Sequence, residues 1–124
     1  MEPTLFPGEQ YILNRWAYRL FPISHGDLVV VRDPENRELL VKRIIALPRD
    51  TIQLRTHGVY LNNLPLREDY LPPKAYTLSQ KYGRQALTLK DHEYFIMGDN
   101  RLVSLDSRWY GPVQSHDILG TLSR

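Results

Sequence analysis

A chain of 124 residues has room for one hydrophobic core, and with 42% hydrophobic and 24% charged residues it reads as an ordinary globular domain, not a disordered one. The absence of cysteine excludes disulfides, thiolate metal ligands and a cysteine nucleophile, while leaving the compartment open. A net charge of +2 spread along the chain without a Lys/Arg block, and no nucleic-acid-binding signature, argue against a nucleic-acid partner.

The longest unbroken apolar runs are four residues, such as 28–31 and 44–47, against about 18 for a membrane-spanning helix. No span or signal peptide is therefore read, although a domain cut from a longer anchored protein would read the same way. Nine prolines and seven glycines divide the chain into short pieces rich in Val, Ile, Leu and Tyr, which predicts a mostly β fold.

In chain order the first strand is expected at 10–14. Residues 15–21 interleave aromatic and basic side chains, which suits a segment covering the core or, as the weaker alternative, a membrane-interface contact. Strands 27–32 and 39–47 should form a hairpin about Asp33-Pro34-Glu35-Asn36. Strands 51–55 and 59–61 should form a second hairpin at His57-Gly58, and Asn62-Asn63 favours another turn. Residues 67–83 carry Pro72-Pro73 with no steady period and read as a surface excursion of unassigned role. Strands at 87–89, 94–97 and 116–122 complete the pattern. His25, His57, His92 and His116 lack metal-ligand spacing, so no metal site is expected.

Alternation in 39–46 puts Leu40, Lys42, Ile44 and Ala46 on one face and Leu39, Val41, Arg43 and Ile45 on the other. Each face is apolar but for one cation, the pattern of a strand buried on both sides. A buried cation must be paired or give up its proton. Arginine keeps its proton, so Arg43 calls for a carboxylate partner. Lysine can lose its own: full burial depresses an ammonium pKa by up to about 3–5 units, and a neutral amine near pH 7 is a general base. The strand alone leaves a second reading open, an edge position from which Lys42 snorkels to solvent.

The strand ending at Met97 runs directly into Gly98-Asp99-Asn100-Arg101-Leu102-Val103-Ser104-Leu105-Asp106-Ser107-Arg108. Its aspartates and arginines suit an ion-pair network, and Ser104 and Ser107 offer hydroxyls able to orient a neighbouring amine. Gly-Asp-Asn-Arg, then Ser-x-Asp-Ser-Arg, an aromatic pair and Gly111 resemble the most diagnostic motif of type I signal peptidases, the Ser/Lys proteases that remove signal peptides. Met1-Glu2-Pro3-Thr4-Leu5, His25-Gly26-Asp27 with the strand after it, Val41-Lys42-Arg43 with Leu47-Pro48 and Asp50, and Gly58-Val59-Tyr60-Leu61-Asn62 are similar to other family segments, in the family's order.

The resemblance implies a single catalytic domain over residues 1–124 with a signal-peptidase and LexA-like β-fold, partly barrel-like, with little helix. It makes Lys42 the general base and Ser104 the hydroxyl that orients it, supported by Arg43, Asp99, Asp106 and Arg108. Met1, Leu5, Leu40 and Val41 would line pockets for small residues before the cleavage site. Partners would be preprotein signal peptides, bound as an added strand, and a membrane surface or an upstream transmembrane anchor. The reaction needs no cofactor, and its place would be the outer face of a bacterial cytoplasmic membrane.

The family's nucleophilic serine stands immediately before the residue matching Met1, where this sequence has nothing, so the chain from Met1 onward is expected to be inactive. A domain cut one residue short, a start assigned at an internal methionine, and a non-catalytic peptide- or membrane-binding relative all fit. Retention of Lys42, Ser104 and Asp106 favours truncation. A LexA-like self-cleaving regulator would need a scissile segment, and none is found. Ala46, Arg49 and Val103 depart from the family pattern; Arg49 replaces a turn glycine expected at positive φ.

Overall fold

The computed structural model describes residues 12–14, 22–56, 58–72, 77, 81–102 and 104–123. Met1, Leu5, His57, Val103 and the segment 15–21 lie outside the described residues. Among the described residues, ten strands form two antiparallel sheets. They are β1 (Ile12–Asn14), β2 (Leu28–Arg32), β3 (Leu39–Ala46), β4 (Thr51–Arg55), β5 (Gly58–Leu61), β6 (Leu64–Pro65), β7 (Leu87–Thr88), β8 (Glu93–Met97), β9 (Val113–Gln114) and β10 (Ile118–Ser123). One sheet has the order β1-β10-β2-β3-β8-β9 and the other β6-β5-β4-β7. Among the described residues, helix is limited to α1 (Ser107–Tyr110) and a 3-10 turn at Ser115–Asp117. The fold is mostly β with little helix, as the sequence indicates, and the sheets are not closed into a barrel.

β3 is hydrogen-bonded to β2 along 39–43 and to β8 from Arg43 onward, and Lys42, although it stands where the β8 pairing has not yet begun, is buried and does not snorkel to solvent. Its two faces feed two apolar clusters. Ile45, Ala46, Phe95 and Met97 pack with Ile52, Leu54, Val59 and Leu89. Ile44 and Ile96 pack with Val29, Val31, Val113 and Ile118 on the opposite side. Each such buried aliphatic chain contributes about 1.5–3 kcal/mol, so β3 and β8 are held from both faces. Simple alternation puts Ala46 beside Ile44, but the register steps from Ile44↔Ile96 to Ala46↔Phe95. The bulged Ile45 turns Ala46 to its own side, a reversal that a period of two cannot foresee.

The turns follow their side chains. Asp33 Oδ1 accepts from the backbone N–H groups of Glu35 (2.7 Å) and Asn36 (3.3 Å), closing the β2–β3 hairpin. Asn62 and Asn63 stand at φ 51° and 67° between Leu61 and Leu64, a two-residue hairpin in the left-handed region that asparagine tolerates. β6 and β9, two residues each, and α1 are too short to leave a periodic signal. His116, expected in the last strand, belongs to the 3-10 turn before it.

Candidate active site

Past Met97, which pairs with Arg43, the chain leaves the sheet and folds back over β3. Lys42 and Ser104 are 9% and 8% exposed, and Lys42 Nζ donates to Ser104 Oγ at 2.8 Å. Gly98 permits that approach. A Cβ on it would overlap Ser104 Oγ and lie 2.7 Å from Ser104 Cβ and 3.5 Å from Lys42 Nζ, so no larger residue fits without displacing the pair.

Ser104 is itself fixed by the turn that follows. Asp106 caps α1, its Oδ1 accepting from Arg108 N–H at 3.1 Å while Oδ2 accepts from Gly98 N–H at 3.0 Å. Arg108 closes a bidentate pair on the same carboxylate, Nε to Oδ1 at 2.9 Å and Nη2 to Oδ2 at 3.0 Å, and both side chains are fully buried. Gly111, at φ 85°, ends the helix by returning its N–H to Ser107 O. Ser107 Oγ accepts from Ile96 N–H at 3.0 Å, tying the turn to β8.

On the other face of β3, Arg43 finds the carboxylate its burial demands. Nε donates to Asp99 Oδ1 at 2.9 Å and Nη2 to Oδ2 at 2.7 Å, with Nη1 on Gly26 O at 2.8 Å. The Arg43 guanidinium lies 3.8 Å from the Tyr70 ring centroid.

Burial lowers the Lys42 pKa below its ordinary 10.5; the Asp106 carboxylate opposes this, Arg108 reinforces it, and Asp33 opposes it more weakly. The site thus holds an amine biased toward its neutral form, with a hydroxyl on it and fixed ion pairs around it. That arrangement can accept a proton from an approaching hydroxyl.

A family model described as signal peptidase, peptidase S26, matches residues 1–124. The chain belongs to the signal peptidase family. It is 30% identical to signal peptidase I V of Bacillus subtilis over 132 residues, covering 99% of this chain and 78% of that protein. It is 35% identical to signal peptidase I U of the same organism over 130 residues, covering 99% of this chain and 68% of the relative. A crystal structure of a signal peptidase I from Enterococcus faecalis superposes with a TM-score of 0.69 at 29% identity, covering 82% of this chain and 97% of that one. With such relatives over nearly its whole length, the chain is signal peptidase I-like, a member of a serine endopeptidase family.

Within this signal peptidase fold, Lys42, Ser104, Asp106 and Arg108 gather on one face of β3, and Arg43 pairs with Asp99 on the other, the two groups joined in sequence at Gly98-Asp99. Leu40 and Val41 are half-buried on β3 beside them. Met1 and Leu5 lie outside the described residues. Arg49 adopts φ 72°, the left-handed turn expected of a glycine there, with its side chain on Asp91 at 2.8 Å.

Sequence reasoning missed Glu68 and Thr77. Arg101 is not part of a closed Asp–Arg network within its own loop. It is bound by Glu68 Oε2 at 2.6 Å and Thr77 Oγ1 at 3.1 Å. A count of charges held the clue: once Arg43 claims Asp99 and Arg108 claims Asp106, a buried Arg101 needs a third carboxylate.

Proposed function

We propose that this domain cleaves signal peptides from preproteins by Ser/Lys chemistry, with Lys42 as general base and Ser104 as the hydroxyl that holds its amine in line. The observation that carries this reading is the buried 2.8 Å bond from Lys42 Nζ to Ser104 Oγ. Neutral Lys42 takes the proton of the serine that the family places just before the residue matching Met1, as that serine's oxygen attacks the scissile carbonyl. Lys42 then returns the proton to the leaving amine as the C–N bond breaks, and water hydrolyses the resulting acyl-enzyme. Arg43, Asp99, Asp106 and Arg108 keep the base and its hydroxyl in place.

The peptide would enter as an added strand. β8 pairs with β3 only at Arg43, Ile44 and Ala46, so among the described residues nothing pairs with residues 39–42 on that side. This unpaired edge runs through Leu40 and Val41 up to Lys42. Leu102, Leu105 and Trp109, exposed by 67%, 58% and 46% and flanking Ser104 in sequence, suit contact with a membrane at the extracytoplasmic face, where an upstream anchor would hold the domain.

The test places a serine directly before Met1 and assays a signal-peptide substrate, with and without Lys42→Ala. Cleavage that disappears with the lysine supports the mechanism. Equal cleavage by both variants sinks it, and binding without cleavage by either points to a non-catalytic peptide-binding module.

A further inference from the structure

The described residues of the excursion after β6 form no helix or strand before β7, yet every arginine of the site rests on them. Tyr70 stacks on Arg43 at 3.8 Å. Glu68 holds Arg101 by two bonds of 2.6 and 3.4 Å, and Thr77 adds a third at 3.1 Å. The backbone N–H groups of Lys81 and Tyr82 both donate to Arg108 O at 2.7 Å. Tyr70 also donates its hydroxyl to Glu68 Oε2 at 2.8 Å, so the two residues hold each other.

The effect reaches the amine through one peptide group. The side chains of Arg101 and Glu68 are 1% and 8% exposed, and a guanidinium so desolvated depends on its carboxylate because it cannot shed its proton. Arg101 Nε in turn donates to Gly98 O at 2.7 Å. Gly98 is the residue against which Ser104 packs, and its N–H is held by Asp106. Glu68 therefore fixes, through Arg101, one wall of the Lys42–Ser104 pair.

We propose that Glu68 and Tyr70 are positioning residues for the Lys42–Ser104 pair, clamping Arg101 and Arg43 so that the Gly98 loop stays closed over the amine. This rests on the reading of Lys42 as the base. A clamp that served stability alone would leave the amine's surroundings in the folded protein unchanged; a positioning clamp alters them when it is released.

The test follows the whole chain by two readouts: exchange of the Gly98 amide by NMR, and the pH midpoint for acetylation of Lys42 by acetic anhydride, read by mass spectrometry. In folded Glu68→Gln, Gly98 exchange should rise about tenfold or more, and the Lys42 midpoint should move up toward that of an ordinary lysine as water reaches it. Glu68→Asp keeps the charge but not the reach, so a smaller rise, about threefold, is expected; it decides the matter if Glu68→Gln does not fold. Arg67→Ala breaks the neighbouring exposed Arg67–Asp69 pair and should change neither readout. Unchanged Gly98 exchange in folded Glu68→Gln, or in Glu68→Asp if that alone folds, overturns the proposal. An ordinary midpoint in the unaltered chain overturns instead the base reading, and Gly98 exchange then judges the clamp by itself.

Discussion

The amine of Lys42 meets the hydroxyl of Ser104 at 2.8 Å across 62 positions of sequence, both groups shielded from water. A neutral lysine has two hydrogens and one lone pair, and spending a hydrogen on Ser104 aims that lone pair elsewhere. Ser104→Ala leaves the amine buried without this guide. In the serine-bearing enzyme, kcat should fall about 10²-fold with KM little changed, while circular dichroism stays that of the parent. A loss confined to KM would show that Ser104 acts on substrate binding.

The same burial has a stability signature. Because the folded-state pKa of Lys42 lies below the ordinary 10.5, the unfolded chain binds more protons between the two values, and stability rises with pH across that window. The penalty is complete below the folded pKa. Lys42→Met should therefore raise Tm most near neutrality, with the gain shrinking as pH approaches 10.5. A gain independent of pH would mean that the amine keeps an ordinary pKa in the folded protein.

Gly98→Ala tests the closeness of the two chain segments. The added methyl would sit on Ser104 Oγ and 2.7 Å from its Cβ, so Ser104 or the loop must move. Overpacking of this kind costs about 1–3 kcal/mol, visible as a lower urea midpoint at unchanged m-value. Activity should fall further than stability, because the displaced atom is the hydroxyl on Lys42.

Much of this site was legible in the sequence, for reasons that particular residues make plain. Lys42 and Arg43 were conspicuous because two cations in an apolar strand demand an explanation, and Arg43 found its carboxylate in Asp99. The strand pattern survived because the apolar residues of β2, β3 and β8 follow the pleat. Ala46 changed face because the bulge at Ile45 arises from cross-strand register. Glu68 escaped notice because its partner lies 33 positions away and its own neighbourhood has no period.

Arg49 offers a prediction on backbone strain. At φ 72° it holds a conformation that costs a side chain energy and glycine almost none. Its bond to Asp91 is between exposed side chains and returns little. Arg49→Gly should raise Tm by about 2–5 °C, whereas Arg49→Val, β-branched, should lower it. A Tm lowered by glycine would assign the Asp91 pair a larger role than its exposure suggests.

Asp50 contributes to the stability of the fold toward acid. Partial burial raises its pKa, but hydrogen bonds from Leu47 N–H at 2.8 Å, His25 Nε2 at 2.6 Å and Asn62 Nδ2 at 3.1 Å outweigh it and hold the carboxyl below its ordinary 3.8. With the folded value depressed, its contribution is complete above the unfolded pKa and is lost as pH falls through the folded one. Asp50→Asn should lower Tm at pH 7 and flatten the Tm-against-pH curve between about pH 5 and pH 2. Because these bonds join the turn before β4 to the segment before β2 and to the β5–β6 hairpin, the loss should loosen both sheets together. A two-state melt at every pH would bear that out, and a separate early transition would show that the four-stranded sheet melts alone.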